Sequence, residues 1–491
     1  MPSNKRGFVC LHSSKFIVSS KKNVPVRTLL TILLAATIGS AVAQPTWEVG
    51  ATTLTEYDLV TGVQVPWEIL WGPDDHIWVT ERRGKVLRVD PETGNFTEVL
   101  NMTSTIPYNG GGEPGMLGMA MHPEWDTTPL VFVVYNYFQG NQVRERLSTF
   151  EWNGTDLVNE EYILNNIPGA GIHNGSRLLI LPDNTLLMST GDKGDGGTSS
   201  QNETALNGKM LRLNLDGTVP ADNPDPTSLV YSWGHRNAQG LCVGPNGLIY
   251  SSEHGQNSHD EFNIIEAGRN YGWPDVEGFC DQANESDFCA EFNVREPLDT
   301  WSPCPAVNGI EYYNHPAIPE WQNSVLMAVL GGLGAQYERL SILHMSDDGS
   351  AIESEDQYFS EFNQRVRDVC INPYTGSVYV ALNGSSYPGS GPNIIKEFKN
   401  EDFVSVNENE NLPLQEMAIY PNPVGETLQM EFSDSFIGTN FYVIGFDGKQ
   451  MGRFIIEDNK VRVNVSSWAK GTYYVTSTTE LGTITKTFVI R

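Results

Sequence analysis

A proline followed within a few residues by an alternating β run recurs six times, and this recurrence constrains the chain more than any other feature. Pro73 leads to His76-Ile77-Trp78-Val79, Pro123 to Leu130-Val131-Phe132-Val133-Val134, and Pro182 to Leu186-Leu187-Met188. Pro245 leads to Leu248-Ile249-Tyr250, Pro319 to Val325-Leu326-Met327, and Pro373 to Val378-Tyr379-Val380. Successive prolines lie 50, 59, 63, 74 and 54 residues apart. Another short β run precedes most of them, as in Leu178-Leu179-Ile180-Leu181 and Val369-Cys370-Ile371. A third follows several, as in Val86-Leu87-Arg88-Val89 and Met210-Leu211-Arg212-Leu213. Three or four short strands per unit, six times over and without helical periodicity, predict an all-β fold built on a six-bladed β-propeller. Tandem β-sandwiches are the alternative, but the turn chemistry here repeats within each unit. Thr46 to Leu54 is placed to pair with the last blade and close the ring.

The repeats do not fill the 491 residues. Residues 1–43 read as a secretory signal. Lys5, Arg6, Lys15, Lys21, Lys22 and Arg27 form a basic lead, Leu29 to Ala43 is a short apolar run, and Ala41-Val42-Ala43 is a small-residue cleavage pattern. That run is shorter than the roughly 20 apolar residues a membrane span needs, so no transmembrane segment is expected in the mature protein. The propeller is expected over residues 44–398 and an acidic, polar linker over 399–413. A small C-terminal β-sandwich is expected over 414–491, where a β pattern runs without the proline repeat. With 60 acidic against 31 basic residues, the net charge is −29. This excludes a phosphate-backbone binder, so no nucleic-acid partner is expected. Export permits disulfides, and Cys280 and Cys289, flanking the polar loop from Asp281 to Phe288, are the expected pair. Outside the expected signal (which carries Cys10), Cys242, Cys304 and Cys370 remain, and their odd number leaves at least one thiol free.

Polar residues gather at one offset before the repeat prolines. Glu113 lies ten residues before Pro123, His173 nine before Pro182, and Arg236, with Asn237 beside it, nine before Pro245. Arg365 and Arg367 lie eight and six before Pro373. In a propeller, equal offsets point to the same end of the axis. An acid, an imidazole and three guanidiniums are therefore expected to converge there. Arg forks match carboxylates, so the constellation suits a small polyanion, with His173 able to take a proton. A second cluster runs from Glu253 through His254, Gly255 and Gln256 to Asp260-Glu261. Backbone carbonyls of a glycine-containing loop beside carboxylates suit a hard cation such as calcium.

Several ordered segments resemble the pyrroloquinoline-quinone-dependent glucose/sorbosone dehydrogenase family of soluble aldose sugar dehydrogenases. They are Gly112-Glu113-Pro114-Gly115-Met116-Leu117-Gly118, His173 through Arg177, Gly234-His235-Arg236-Asn237-Ala238-Gln239-Gly240, Glu253 through Glu261, Asn270-Tyr271-Gly272-Trp273-Pro274 and Arg365-Val366-Arg367-Asp368. The resemblance implies a six-bladed propeller, an aldose-type sugar substrate, a downstream electron acceptor, and two cofactors, pyrroloquinoline quinone and calcium. It implies that His173 is the general base, that Arg236 and Asn237 sit at the reactive quinone carbonyl, and that Arg365 and Arg367 bind the quinone carboxylates. Glu113 takes a cofactor-binding position. Gly255 and Gln256 would hold the cofactor's calcium through their carbonyls, and Glu261 with the Tyr271 carbonyl a second, structural calcium. Four positions depart from the family pattern: Glu113 for Gln, Gln256 for Pro, Cys304 for a small hydroxyl residue, and Gly331-Gly332-Leu333-Gly334 where a basic cofactor contact is common. A non-catalytic propeller that binds a glycan or protein partner is the competing reading, favoured by that bare fifth-blade loop.

The C-terminal region resembles the sorting domain of type IX secretion cargo through Tyr420-Pro421-Asn422-Pro423, Gly471-Thr472-Tyr473-Tyr474 and Lys486 to Arg491. The resemblance implies type IX secretion machinery as a partner, and a secreted or cell-surface protein exported through the periplasm.

Overall fold

The computed structural model describes residues 44–107, 112–332, 338–389, 391–403, 417–420, 424–425, 427–432, 436–445, 449–479 and 482–490. The expected signal, most of the expected linker, and Leu333-Gly334 lie outside these residues.

Antiparallel sheets follow one another along the chain, each assembled from consecutive strands. The first comprises Pro66–Trp71, Ile77–Glu81, Lys85–Val89 and Phe96–Asn101. The next four begin with Met116–Met121, Gly175–Ile180, Ala238–Val243 and Val307–Tyr313, and each has four strands. The sixth begins with Val366–Ile371, continues through Val378–Leu382 and Asn393–Lys399, and is completed by Thr52–Val63 and Thr46–Val49 from the start of the chain. The leading strands of successive sheets touch in sequence, and Val366–Ile371 returns to touch Pro66–Trp71. The sheets therefore form a closed ring, with their leading strands innermost.

The packing explains why the second strands read as nearly unbroken apolar runs. Ile77–Glu81, Thr185–Thr190 and Ser324–Val329 are buried at every position, because each is covered by a neighbouring sheet on both faces. The core is accordingly divided among the sheet interfaces. Ile69, Val79, Tyr379 and Ile395 join the sixth sheet to the first. Trp78, Met119, Val133 and Tyr135 join the first to the second, and Tyr250, Phe262, Val325 and Met327 join the fourth to the fifth.

Three expectations need correction. The strand that closes the sixth sheet is Thr52–Val63, paired from Thr55 to Val63, and Thr46–Val49 is only its outer hairpin partner. Cys280 and Cys289 are bonded, but the segment between them is helical within Ala283–Phe292. The ring also runs past residue 398, since Lys399 ends its last strand, Asn400 donates to the Ala317 carbonyl at 2.8 Å, and Phe403 packs on the core. Cys242, Cys304 and Cys370 are free, with Cys242 and Cys370 buried within strands.

In the C-terminal region Met417–Tyr420, Thr427–Phe432 and Lys460–Asn464 form one sheet. Gln450–Ile455, Asn440–Gly445, Gly471–Thr479 and Gly482–Ile490 form another. Leu428, Met430, Phe441, Val443, Val475 and Phe488 from the two sheets share one core.

Candidate active site

The residues just before or at the start of the innermost strands converge on a cavity of about 320 Å³ at one end of the ring. Its lining includes Glu113, His173, Arg236, Asn237, Arg365 and Arg367, together with Gly255 and Gln256. The equal-offset argument therefore brought together every side chain it singled out. Glu261 and Tyr271 line a separate pocket of about 10 Å³, which Arg236, His254 and Gly255 also border.

His173 is held from three directions. Its backbone N–H donates to Glu113 Oε2 at 2.7 Å, and Glu113 Oε1 accepts from the Tyr387 hydroxyl at 3.2 Å. Its Nδ1 lies 2.7 Å from Asp192 Oδ1. Its own φ is +55°, in the left-handed region, and Gly175 and Ser176 follow at +66° and +79°. Such a run persists only where surrounding contacts over-determine it. Gly191 is one of the reasons it fits: a Cβ there would lie 2.1 Å from the His173 carbonyl oxygen. The next residue, Asp192, is thereby brought beneath the imidazole. Burial opposes ionisation of Asp192. The His173 hydrogen bond and charge, the Gly194 N–H at 2.8 Å and the Trp273 indole N–H at 3.0 Å outweigh it and hold the carboxyl below its ordinary range. An ionised carboxylate only accepts, so in the neutral form of His173 the proton sits on Nδ1 and leaves the lone pair on Nε2.

The opposite wall is cationic. Arg367 is half-buried, with its guanidinium 4.8 Å from the centre of the Trp67 ring, and its buried Nε has no hydrogen-bond partner among the described residues. Burial, then the neighbouring guanidiniums of Arg177, Arg82 and Arg365, push its pKa down to about 9. Arg365 is lowered as well, chiefly by burial, and its Nε is likewise unpartnered. Arg236 stacks at 5.3 Å over Trp273 and donates to the His254 carbonyl at 3.0 Å, while its buried Nε is unpartnered. Burial, then Arg236 and Arg367, lower His254 to about 3, so that imidazole is neutral. Buried guanidinium N–H groups without acceptors are costly, and they fit an anion that would supply acceptors.

Beneath this wall the axis is plugged by an ion-pair network. Arg177 Nη1 lies 2.5 Å from Glu68 and 3.1 Å from Asp368, and its Nε donates to the Gln239 carbonyl at 2.7 Å. Strands of the first, third, fourth and sixth sheets are thus tied across the ring.

Glu253 fixes Arg236 and Asn237 from behind. Its Oε1 accepts both backbone N–H groups, and its Oε2 meets His235 Nδ1 at 2.9 Å. Glu261 is half-buried nearby, and desolvation and then the Glu253 charge push its carboxyl upward. Two carboxylates in mutual repulsion suit a cation between them. Among the described residues no three His, Cys, Asp or Glu side chains converge on one point. A calcium ion here would therefore depend on backbone carbonyls as well as carboxylates.

Two residues that shape the site escaped the sequence reading. Asp192 follows the second strand of its sheet, off the shared offset. Arg82 follows Ile77–Glu81, lines the cavity, and donates to the Pro388 carbonyl at 2.7 Å. Arg82 adds a cation to a cavity whose fifth-sheet lining, Ala306, Leu330, Gly331 and Gly332 among the described residues, carries none.

The family model for glucose/sorbosone dehydrogenases matches residues 63–388, and that for the secretion system C-terminal sorting domain matches residues 418–491. An uncharacterized protein of Synechocystis sp. is 34% identical over 348 residues, covering 66% of this chain and 82% of that protein. Quinoprotein glucose dehydrogenase B of Acinetobacter calcoaceticus is 35% identical over 255 residues, covering 46% of this chain and 53% of that enzyme. The PQQ-bound aldose sugar dehydrogenase of Streptomyces coelicolor superposes with a TM-score of 0.58 at 29% identity, covering 73% of this chain and 99% of that one.

Proposed function

Because the chain belongs to the glucose/sorbosone dehydrogenase family, we propose that it is an exported quinoprotein that oxidises an aldose sugar with pyrroloquinoline quinone as cofactor. In this reading the ring of sheets is a six-bladed propeller, the two C-terminal sheets form a sandwich, and the axial cavity is the active site. The observation that carries it is the pairing of His173 and Asp192 opposite half-buried guanidiniums whose buried Nε–H groups lack acceptors among the described residues.

The quinone, when bound, supplies the hydride acceptor. Arg365 and Arg367 would hold its carboxylates, with Arg82 adding positive charge in place of the absent fifth-sheet cation. Arg236 and Asn237 would face its reactive end, their backbone fixed by Glu253. His173 takes the sugar hydroxyl proton at Nε2, and the Asp192 carboxylate stabilises the resulting imidazolium through Nδ1–H. Glu113 keeps the His173 backbone in place and contributes a negative charge at the cavity rim. Calcium would rest on the Gly255 and Gln256 carbonyls, and a second ion on Glu261 and the Tyr271 carbonyl. The sorting tail directs passage through the type IX machinery after a secretory leader has delivered the chain to the periplasm, giving a secreted or surface enzyme. Among the described residues no helix is long and apolar enough to cross a membrane.

Reconstitution tests this directly. Adding pyrroloquinoline quinone with calcium to the purified protein should create dye-linked aldose oxidation and raise the melting temperature, because a ligand bound only by the folded state stabilises it. If saturating quinone changes neither over a broad sugar panel, the propeller is a non-catalytic binder of a glycan or protein.

A further inference from the structure

A second cavity, of about 760 Å³, opens where the sixth sheet meets the first. The axial site uses the starts of the innermost strands. This cavity uses their other ends: Trp71 closes Pro66–Trp71, and Asn372 follows Val366–Ile371. It therefore lies at the opposite end of the ring from His173. Its size falls within the roughly 300–1,000 Å³ of small-molecule sites.

The chemistry of its walls is particular. Trp71 stacks on the buried Tyr379 at 6.2 Å with 17° between planes, and Tyr374 stands edge-on to Trp71 at 6.3 Å. Tyr374 is 57% exposed, so its ring is open to a ligand while its neighbours keep it in place. Around the rings, carboxylates are paired with hydroxyls. The Tyr57 hydroxyl donates to Glu401 at 2.9 Å, Tyr374 bonds to Asp75, and Glu397 bonds to Ser377 and Tyr379. Lys399, the one cation of the lining, is tied to Glu401 at 3.1 Å.

We propose that this groove is a binding site for an uncharged oligosaccharide, separate from the axial cavity. An exposed aromatic ring on a fixed aromatic base offers an apolar face to the C–H face of a pyranose. Hydroxyl–carboxyl pairs present donors and acceptors together, which is what sugar hydroxyls exchange with. The acidic lining excludes uronates, phosphates and nucleic acid. A cationic peptide is less well matched, because most of the wall's carboxylates are already engaged: Asp58 by Lys396, Asp75 by Tyr374, Glu397 by Ser377 and Tyr379, and Glu401 by Tyr57 and Lys399. Occupancy would bridge the sheets at the seam where the ring closes, so it should stabilise the fold as well.

Titration calorimetry and thermal melts of the full chain test this with cellohexaose and maltohexaose as uncharged probes, hexagalacturonate as the anionic probe and hexalysine as the cationic one. At least one uncharged hexasaccharide should bind and raise the melting temperature, and hexagalacturonate should do neither. Tyr374→Ala should weaken that binding about tenfold, the scale of one lost ring contact, and Asp75→Asn should also weaken it. Dye-linked turnover of reconstituted protein should be unchanged in both variants, since neither residue borders the axial cavity. This separates failure of the groove from failure of the quinoprotein reading. The proposal is overturned if no uncharged hexasaccharide binds, if binding survives both substitutions, or if hexagalacturonate binds equally. Tighter binding of hexalysine, lost in Asp75→Asn, would show that the groove takes a cationic partner instead.

Discussion

At the scale of single residues, the site rests on a division of labour that substitution separates. In the proposed mechanism His173 moves a proton, whereas Arg365 meets charge that does not react. His173→Ala should therefore lose on the order of 10²-fold or more in turnover, the scale of a positioned general base, while still binding quinone by absorbance titration. Asp192→Asn should lower turnover in the same way, because its amide cannot hold the imidazolium. Arg365→Ala should mainly weaken quinone binding. Near wild-type turnover in His173→Ala would remove it from the mechanism. Asp192 was illegible in the sequence for a physical reason: its role depends on Gly191 letting two loops touch, and no spacing along the chain encodes that contact. Glu145, on the strand Gln142–Trp152, gives a pH test of the support beneath the site. It is buried, accepts from the Ser176 hydroxyl at 2.7 Å, and burial pushes its carboxyl up to about 8. In the folded chain it holds a proton up to that pH, whereas unfolded it releases it near 4.5. Its contribution is thus fully present below about 4.5, falls as pH rises, and is gone above about 8. Glu145→Gln keeps the neutral amide throughout. Its melting temperature relative to wild type should rise from pH 5 to about pH 8 and level off above that, and a constant difference would show that Glu145 is ionised in the fold.

At the scale of elements, ring closure is the point of greatest leverage. Thr52–Val63 supplies a fourth strand to the sixth sheet, and Val49, Leu54, Val60 and Val63 are all buried to 1% exposure or less. Each such side chain is worth roughly 1.5–3 kcal/mol, and together they rival the about 5–15 kcal/mol that separates folded from unfolded domains. A chain beginning at Gln64 should therefore lose its cooperative melt or aggregate through the exposed edge of Asn393–Lys399. A sharp melt close to that of the mature chain, with monomeric elution, would show that the sheet closes without this strand. The repeat prolines made the sheets legible because each marks the tight turn between two buried strands. The closing strand was harder to read, since Glu56 and Asp58 interrupt its apolar pattern. Both are there to receive Lys396 of the neighbouring strand, at 2.5 Å each. The helix Ala283–Phe292 was invisible for a related reason: only Glu285 in it is buried, so it has no apolar stripe. It is held instead by the Cys280–Cys289 bond and a Gln282–Glu285 capping box.

At the scale of the whole molecule, catalysis and export should be separable functions of one chain. Every residue lining the axial cavity lies between Trp67 and Pro388, and the last strand of the ring ends at Lys399 with Phe403 packed against the core. The sorting-domain match begins at residue 418, and the two sheets after Met417 share a core of their own. A chain ending at Phe403 thus retains each buried contact of the ring named above. It should fold, bind quinone with calcium, and keep the dehydrogenase activity of the reconstituted full chain. In a host with type IX machinery the same truncation should leave the protein in the periplasm, because a secretory leader crosses only the inner membrane. Cell fractionation with an activity stain decides between the outcomes. Normal surface or medium levels of the truncated chain would show that the tail is not the export signal. Loss of soluble, active protein would show that the ring depends on the tail for its stability, and that the domain boundary lies elsewhere.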